Sequence, residues 1–210
     1  MNRFDRPRQA LAIGLAALAG FVDAVGFLSA DGYFVSFMSG NTTRLAVNLA
    51  RDPMLATVPA LLILGFVCGV TGGAVIAVRA GTKRKSAVLF AVAALLALAA
   101  VSRMAGMGAP MLAMLVIAMG ALNNTFQRDG EVAVGLTYMT GSLVRLGQGL
   151  ASALLGEKRS GWGGYLLLWT GLALGAVAGA MGFGLMPVLM PWLAAGWALT
   201  MALTALRLKT

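Results

Sequence analysis

Polar positions are sparse and grouped in this chain, and the gaps between them set its elements. Apolar runs cover roughly residues 10–30, 57–79, 86–102, 108–127, 162–184 and 187–206. A hydrocarbon core of about 30 Å takes about 20 helical residues to cross, so each run predicts a membrane-spanning helix. Pro110 and Pro187 fall near the predicted helix starts, where a missing N–H costs little. Two further segments, 33–50 and 133–155, mix polar residues into the apolar pattern. Each reads either as a full span or as a broken, re-entrant segment that enters and leaves on one side.

The two mixed segments repeat one another. Residues 36–45 read Ser-Phe-Met-Ser-Gly-Asn-Thr-Thr-Arg-Leu, and residues 137–146 read Thr-Tyr-Met-Thr-Gly-Ser-Leu-Val-Arg-Leu. The same offset places Asp23 on Asn124. Gly65, Gly69 and Gly73 lie four apart on one predicted helix face, and Gly171, Gly175 and Gly179 do the same, with Gly69 and Gly73 read onto Gly171 and Gly175. Small residues at this spacing let helix backbones approach closely, between repeats or between subunits. An internal duplication follows, with residues 1–102 as the first membrane repeat and 103–210 as the second in one compact membrane domain.

Composition narrows the class. Of 210 residues 60% are hydrophobic and 11% charged, so nearly all of the chain is committed to spans and none is left for a soluble catalytic domain. The net charge of +9 reflects loop lysines and arginines that orient the protein and meet anionic headgroups, rather than nucleic acid. Charge also chooses between the two topologies. Eight full spans would put Arg79, Lys83, Arg84 and Lys85 outside. With both mixed segments re-entrant, Arg3, Arg6, Arg8, Arg79, Lys83, Arg84, Lys85, Arg128, Lys158, Arg159, Arg207 and Lys209 all lie inside. Only Arg51 and Arg103 lie outside. The expected fold is therefore an all-α integral membrane protein of six transmembrane helices. They form two inverted three-helix repeats, each with a broken or re-entrant polar segment. The basic N-terminus and the run after it resemble a signal peptide, but Asp23 lies late in that run, which reads as a retained first helix. The expected location is the inner (plasma) membrane, multi-pass, with both termini cytoplasmic.

Histidine is absent and Cys68 is the only cysteine, so a transition-metal site, a usual haem ligation and a His-paired nucleophile are not expected. No cofactor motif is present and an enzyme is not expected. Asp23 is the one carboxylate within a predicted span, and such a charge faces a cavity or a partner. It reads as a proton or cation carrier, or as a structural partner of Arg44 or Arg145. Those arginines follow Gly40-Asn41 and Gly141-Ser142, where glycine permits a helix break and Asn or Ser caps the next half-helix. A positive half-helix end beside a guanidinium suits an anion. The alternative is that both arginines snorkel to opposite headgroup layers and anchor the segments. Asn41, Thr42, Ser142, Asn123 and Asn124 are the neutral candidates, while Phe34, Phe37 and Tyr138 are candidate pocket walls.

The run Phe-Val-Asp-Ala-Val-Gly-Phe-Leu at 21–28, followed by Phe-Met-Ser-Gly-Asn-Thr-Thr-Arg-Leu at 37–45, resembles the YoaK-like family of bacterial inner-membrane proteins. Asn123-Asn124 and Tyr138-Met139-Thr140-Gly141 extend the likeness into the second half. The resemblance implies a small polytopic membrane protein, without substrate or catalytic residues. The expected function is a transporter or channel for a small solute, more readily an anion. Arg44 and Arg145 would bind charge, Asn41, Thr42, Ser142, Asn123 and Asn124 would orient the solute, and Asp23 would couple a proton. A homodimer is a candidate assembly. The alternative is a non-transporting scaffold or sensor whose duplicated segments only pack helices.

Overall fold

The computed structural model describes residues 5–128, 131–132, 135–156 and 162–208. Arg3, Lys158, Arg159, Lys209 and the first residues of the expected 133–155 segment lie outside them. Among the described residues eight α-helices carry the fold: α1 (Arg6–Ser29), α2 (Met38–Arg51), α3 (Thr57–Ala80), α4 (Arg84–Met104), α5 (Gly108–Leu122), α6 (Thr140–Leu154), α7 (Trp162–Leu185) and α8 (Met190–Arg207). A minimal antiparallel pair, β1 (Gln127–Arg128) and β2 (Glu131–Val132), lies between α5 and α6.

Local chemistry sets the helix ends. Asp5 accepts the Arg8 N–H at 3.2 Å and caps α1, with proline in its first turn. Gly81, Gly106 and Gly156 take positive φ just past α3, α4 and α6, a conformation that glycine enters without a Cβ penalty. Pro110 lies in the first turn of α5, whereas α8 starts beyond Pro187 and takes Pro191 into its first turn.

Among the described residues four runs are long and apolar enough to cross a membrane: Arg6–Ser29, Pro53–Met104, Gly108–Thr125 and Trp162–Leu185; α8, from the expected run 187–206, is not among them. The second has 52 residues and contains both α3 and α4. Helices α2 and α6 differ from these. Their 14 and 15 residues reach only about 21–23 Å at 1.5 Å per residue.

Helices α1 and α5 form the centre, burying Leu11, Leu15, Leu18 and Val22 on one and Met111, Leu115, Met119 and Leu122 on the other. Each is paired closely with a helix from the opposite half. A Cβ at Gly175 would strike the Ala17 carbonyl, one at Gly179 the Phe21 backbone, and one at Gly20 the Leu172 carbonyl, so α7 runs parallel to α1. The same contacts recur where Gly69 meets Ile117, Gly73 meets Ala121 and Gly120 meets Phe66, so α3 runs parallel to α5. These contacts correct the expected glycine register. Gly65, Gly69 and Gly73 correspond to Gly171, Gly175 and Gly179, because the linkers before α3 and α7 differ in length. The seam lies within the chain. Away from it, α3 exposes Leu61, Leu64 and Val78, and α7 exposes Leu167, Leu174 and Met181. A helix that is apolar all round suits lipid on its outer face.

Helix α4 packs against α8, whose Ala194, Ala198 and Ala202 form a buried small-residue row. The pair is antiparallel. Residues 82–86 share a crevice with 205–208 at one end, and the Trp192 indole N–H reaches the Met104 sulfur at 3.3 Å at the other. Arg8 lies near Lys85, which brings the start of α1 to the first end, and Arg103 sits over the Phe183 ring at the second. The helix ends therefore form two groups. Helix α2 connects two ends of the second group, and α6 connects two ends of the first.

Candidate functional site

The two polar segments are non-helical leads followed by short, unbroken helices. The expected break at glycine is not found. Gly40 lies inside α2, where the Phe37 and Phe34 rings leave no room for a Cβ, so it is small for packing. Gly141 lies inside α6 with open space around it. Asn41 and Ser142 are likewise not caps. Helix α2 starts after Phe37 and α6 after Met139, and neither start has a side-chain cap.

Asn41 instead binds the lead before its helix. Its side-chain oxygen accepts the Phe34 N–H at 3.0 Å, and its amide donates to the Phe34 carbonyl at 2.6 Å. The side chain thus pairs with Phe34 as a neighbouring strand would, satisfying backbone groups that the non-helical lead leaves open. Asp23 completes the tether from α1: one carboxylate oxygen accepts the Val35 and Ser36 N–H groups at 2.9 and 2.8 Å. The carboxylate therefore lies where an anion before the start of α2 would lie. No ion pair joins Asp23 to Arg44 or Arg145 among the described residues, against the expected structural pairing.

On helix α2 the side chains of Asn41, Arg44 and Asn48 turn inward, while Ser39, Thr42, Thr43 and Arg51 are exposed. Asn48 donates to the Tyr33 hydroxyl and to the Leu55 carbonyl, both at 2.9 Å, and Arg44 lies 5.0 Å from the Tyr33 ring centre. Val47 and Leu49 face outward. Thr42, expected at the site, is exposed and bonds only back to the Met38 carbonyl of its own helix at 2.8 Å. Phe34 packs edge to face on Phe37 at 5.1 Å between ring centres and lies tilted against Phe27 at 4.9 Å, so the expected wall residues Phe34 and Phe37 pack on each other.

The second segment is built differently. Asn123 exchanges hydrogen bonds with the Thr137 hydroxyl at 3.0 and 3.2 Å. Thr137 stands at the position of Ser36, whose backbone N–H meets Asp23 in the first half. Asn124 sends its amide across to the Val70 carbonyl of α3 at 2.9 Å, a reach that Gly73 leaves open. Ser142 is buried. Tyr138 lies over Gly135 and is otherwise exposed. Gly149 of α6 takes the Trp162 side chain of α7.

Arg145 is exposed on α6, donates to the Tyr165 hydroxyl at 2.7 Å and lies 5.3 Å from that ring centre. Each duplicated arginine thus stacks on a tyrosine, Arg44 on the lead to α2 and Arg145 on α7. No contact brings the two together, so they do not form one midplane pocket. The tyrosine partners were not singled out in sequence, because Tyr33 and Tyr165 occupy unrelated places in the two halves. Among the described residues no group of three or more acidic, histidine or cysteine side chains could hold a metal.

Long apolar helices with outward leucines and internal glycine seams describe a helical membrane protein. The chain belongs to the DUF1275 family, described as a protein of unknown function, whose pattern it matches over residues 11–204. It is also similar to a UPF0700 transmembrane protein of Rhizobium meliloti (strain 1021). The two are 38% identical over 175 residues, covering 82% of this chain and 74% of the relative. No solved structure matches.

Proposed function

We propose that this protein is a transporter or channel for a small anion. The observation that carries the reading is the pair of short helices bearing Arg44 and Arg145, neither with a carboxylate partner among the described residues. Six long helices would span the inner membrane as two inverted repeats, 1–102 and 103–210. The crossed α1–α7 and α3–α5 pairs support this arrangement, as do connections of α2 and α6 to opposite groups of helix ends. Arg8, Lys83, Arg84, Lys85 and Arg207 gather at one end, which supports cytoplasmic termini. Inverted repeats with non-helical leads are a recurrent way to build a transport route. In this reading the arginines attract the anion on either side of the bilayer, while Asp23, Asn41 and Asn123 hold the leads in place.

Proteoliposome flux of small anions tests the reading. Arg44→Ala and Arg145→Ala together should slow flux at least about tenfold, the loss expected from one or two charge-assisted contacts. Unchanged flux in a working assay sinks the anion site.

A second reading, a non-transporting scaffold, is favoured by the internal bonding of Asp23, Asn41 and Asn123. Cysteines placed at 41 and 142 in a protein lacking Cys68 separate the two. A water-lined route predicts labelling by a charged thiol reagent, and a packed core predicts none.

A further inference from the structure

The basic end of the molecule holds a crevice that neither polar segment uses. It encloses about 190 Å³ between Thr82, Lys83, Lys85 and Ser86 on one wall and Leu206 and Leu208 on the other. The first wall is the start of α4, which has neither a side-chain cap nor an acidic residue in its first turn. The first N–H groups of a helix have no partner within it and carry a partial positive charge. Ser86 is buried in that turn and donates to the Lys83 carbonyl at 3.0 Å, which fixes the turn's shape. Arg8 and Arg84 lie close enough to act electrostatically on Lys85. Asp5 also acts on Lys85; it sits 3.6 Å from Arg8 and caps α1. Among the described residues that line the crevice the charged side chains are Lys83 and Lys85, both cations.

The opposite wall is apolar, and Leu206 there is half exposed. Cations, hydroxyls and helix N–H groups facing leucines match an amphiphile with an oxyanion head. We propose that this crevice binds the phosphate group of an anionic membrane lipid, with the phosphate against Lys83, Lys85 and the start of α4 and the chain along Leu206 and Leu208. Inorganic phosphate shares the head chemistry but makes no use of the leucine wall. The assignment does not rest on the transport reading.

The test is a thermal melt of the purified protein in neutral detergent, titrated in turn with phosphatidylglycerol, phosphatidylcholine of the same chains, and inorganic phosphate. Phosphatidylglycerol should raise the midpoint, with phosphatidylcholine and inorganic phosphate at least tenfold weaker. Lys83→Ala with Lys85→Ala should weaken the phosphatidylglycerol effect by roughly 30-fold, at about 1 kcal/mol per cation. Arg51→Ala with Arg103→Ala removes the same charge from the opposite end and should leave it unchanged. The proposal is overturned if phosphatidylcholine matches phosphatidylglycerol, or if both double variants respond alike. An equal effect of inorganic phosphate overturns the lipid as source and assigns the crevice to free phosphate. Lys83 lines the crevice from the α3–α4 turn and Lys85 from the first turn of α4, and the melt without ligand reports any loss of fold.

Discussion

The leads to α2 and to α6 solve the same problem with different chemistry. Before α2, a carboxylate and an amide together satisfy three backbone N–H groups, those of Phe34, Val35 and Ser36. Before α6, the cross-segment link is a neutral pair, Asn123 with Thr137. A carboxylate oxygen can accept two N–H bonds at once, and charged acceptors bond more strongly. Among the described residues the first lead is therefore tied by a charged acceptor and the second by a neutral pair.

The largest expected effect tests what the halves share. Gly175→Leu and Gly69→Leu both force a side chain into a neighbouring carbonyl. Each should cost about 3 kcal/mol or more, seen as loss of monodisperse protein in detergent. If one half tolerates leucine and the other does not, the two seams are not equivalent.

The next test addresses what they do not share. Asp23→Ala leaves two N–H groups without their acceptor and should cost about 3 kcal/mol, against about 1–2 for Asn123→Ala. Asp23→Asn retains an acceptor oxygen and should cost under about 1 kcal/mol. Thermal melts rank the three, and equal losses for Asp23→Ala and Asn123→Ala would erase the asymmetry. A variant Asp23→Asn that stays folded but loses flux would give the carboxylate a role in coupling beyond tethering.

The smallest contrast lies at the aligned pair inside the short helices. Asn41→Ala breaks two bonds to Phe34 and should cost about 2 kcal/mol. Ser142→Ala keeps the volume nearly constant and should cost under about 0.5 kcal/mol. Hydrogen exchange at the Phe34 N–H should rise in the first variant and stay constant in the second.

Much of this was legible along the chain. The long helices follow from apolar runs, and the short ones stand where the duplicated polar segments were read. The site was less legible. Asp23 and Asn41 stand out in the sequence as costly polar groups in an apolar chain, but their partners are backbone groups, which every residue carries and no sequence pattern marks. The alignment put Asn124 opposite Asp23, and the neighbouring Asn123, at the 3₁₀ end of α5, also reaches the second segment through Thr137. Arg44 and Arg145 share a motif yet meet tyrosines from unrelated places, Tyr33 and Tyr165.

By itself the sequence determined that this is a helical membrane protein with a duplicated polar segment. Apolar length and polar cost in lipid are properties of each stretch alone. Tertiary structure decided which helices touch, that the glycine faces close a seam within the chain, and that the two arginines stay apart. Those outcomes depend on where a side chain meets a backbone carbonyl across a helix interface. That distance is set by the packing of two elements together and is written in neither.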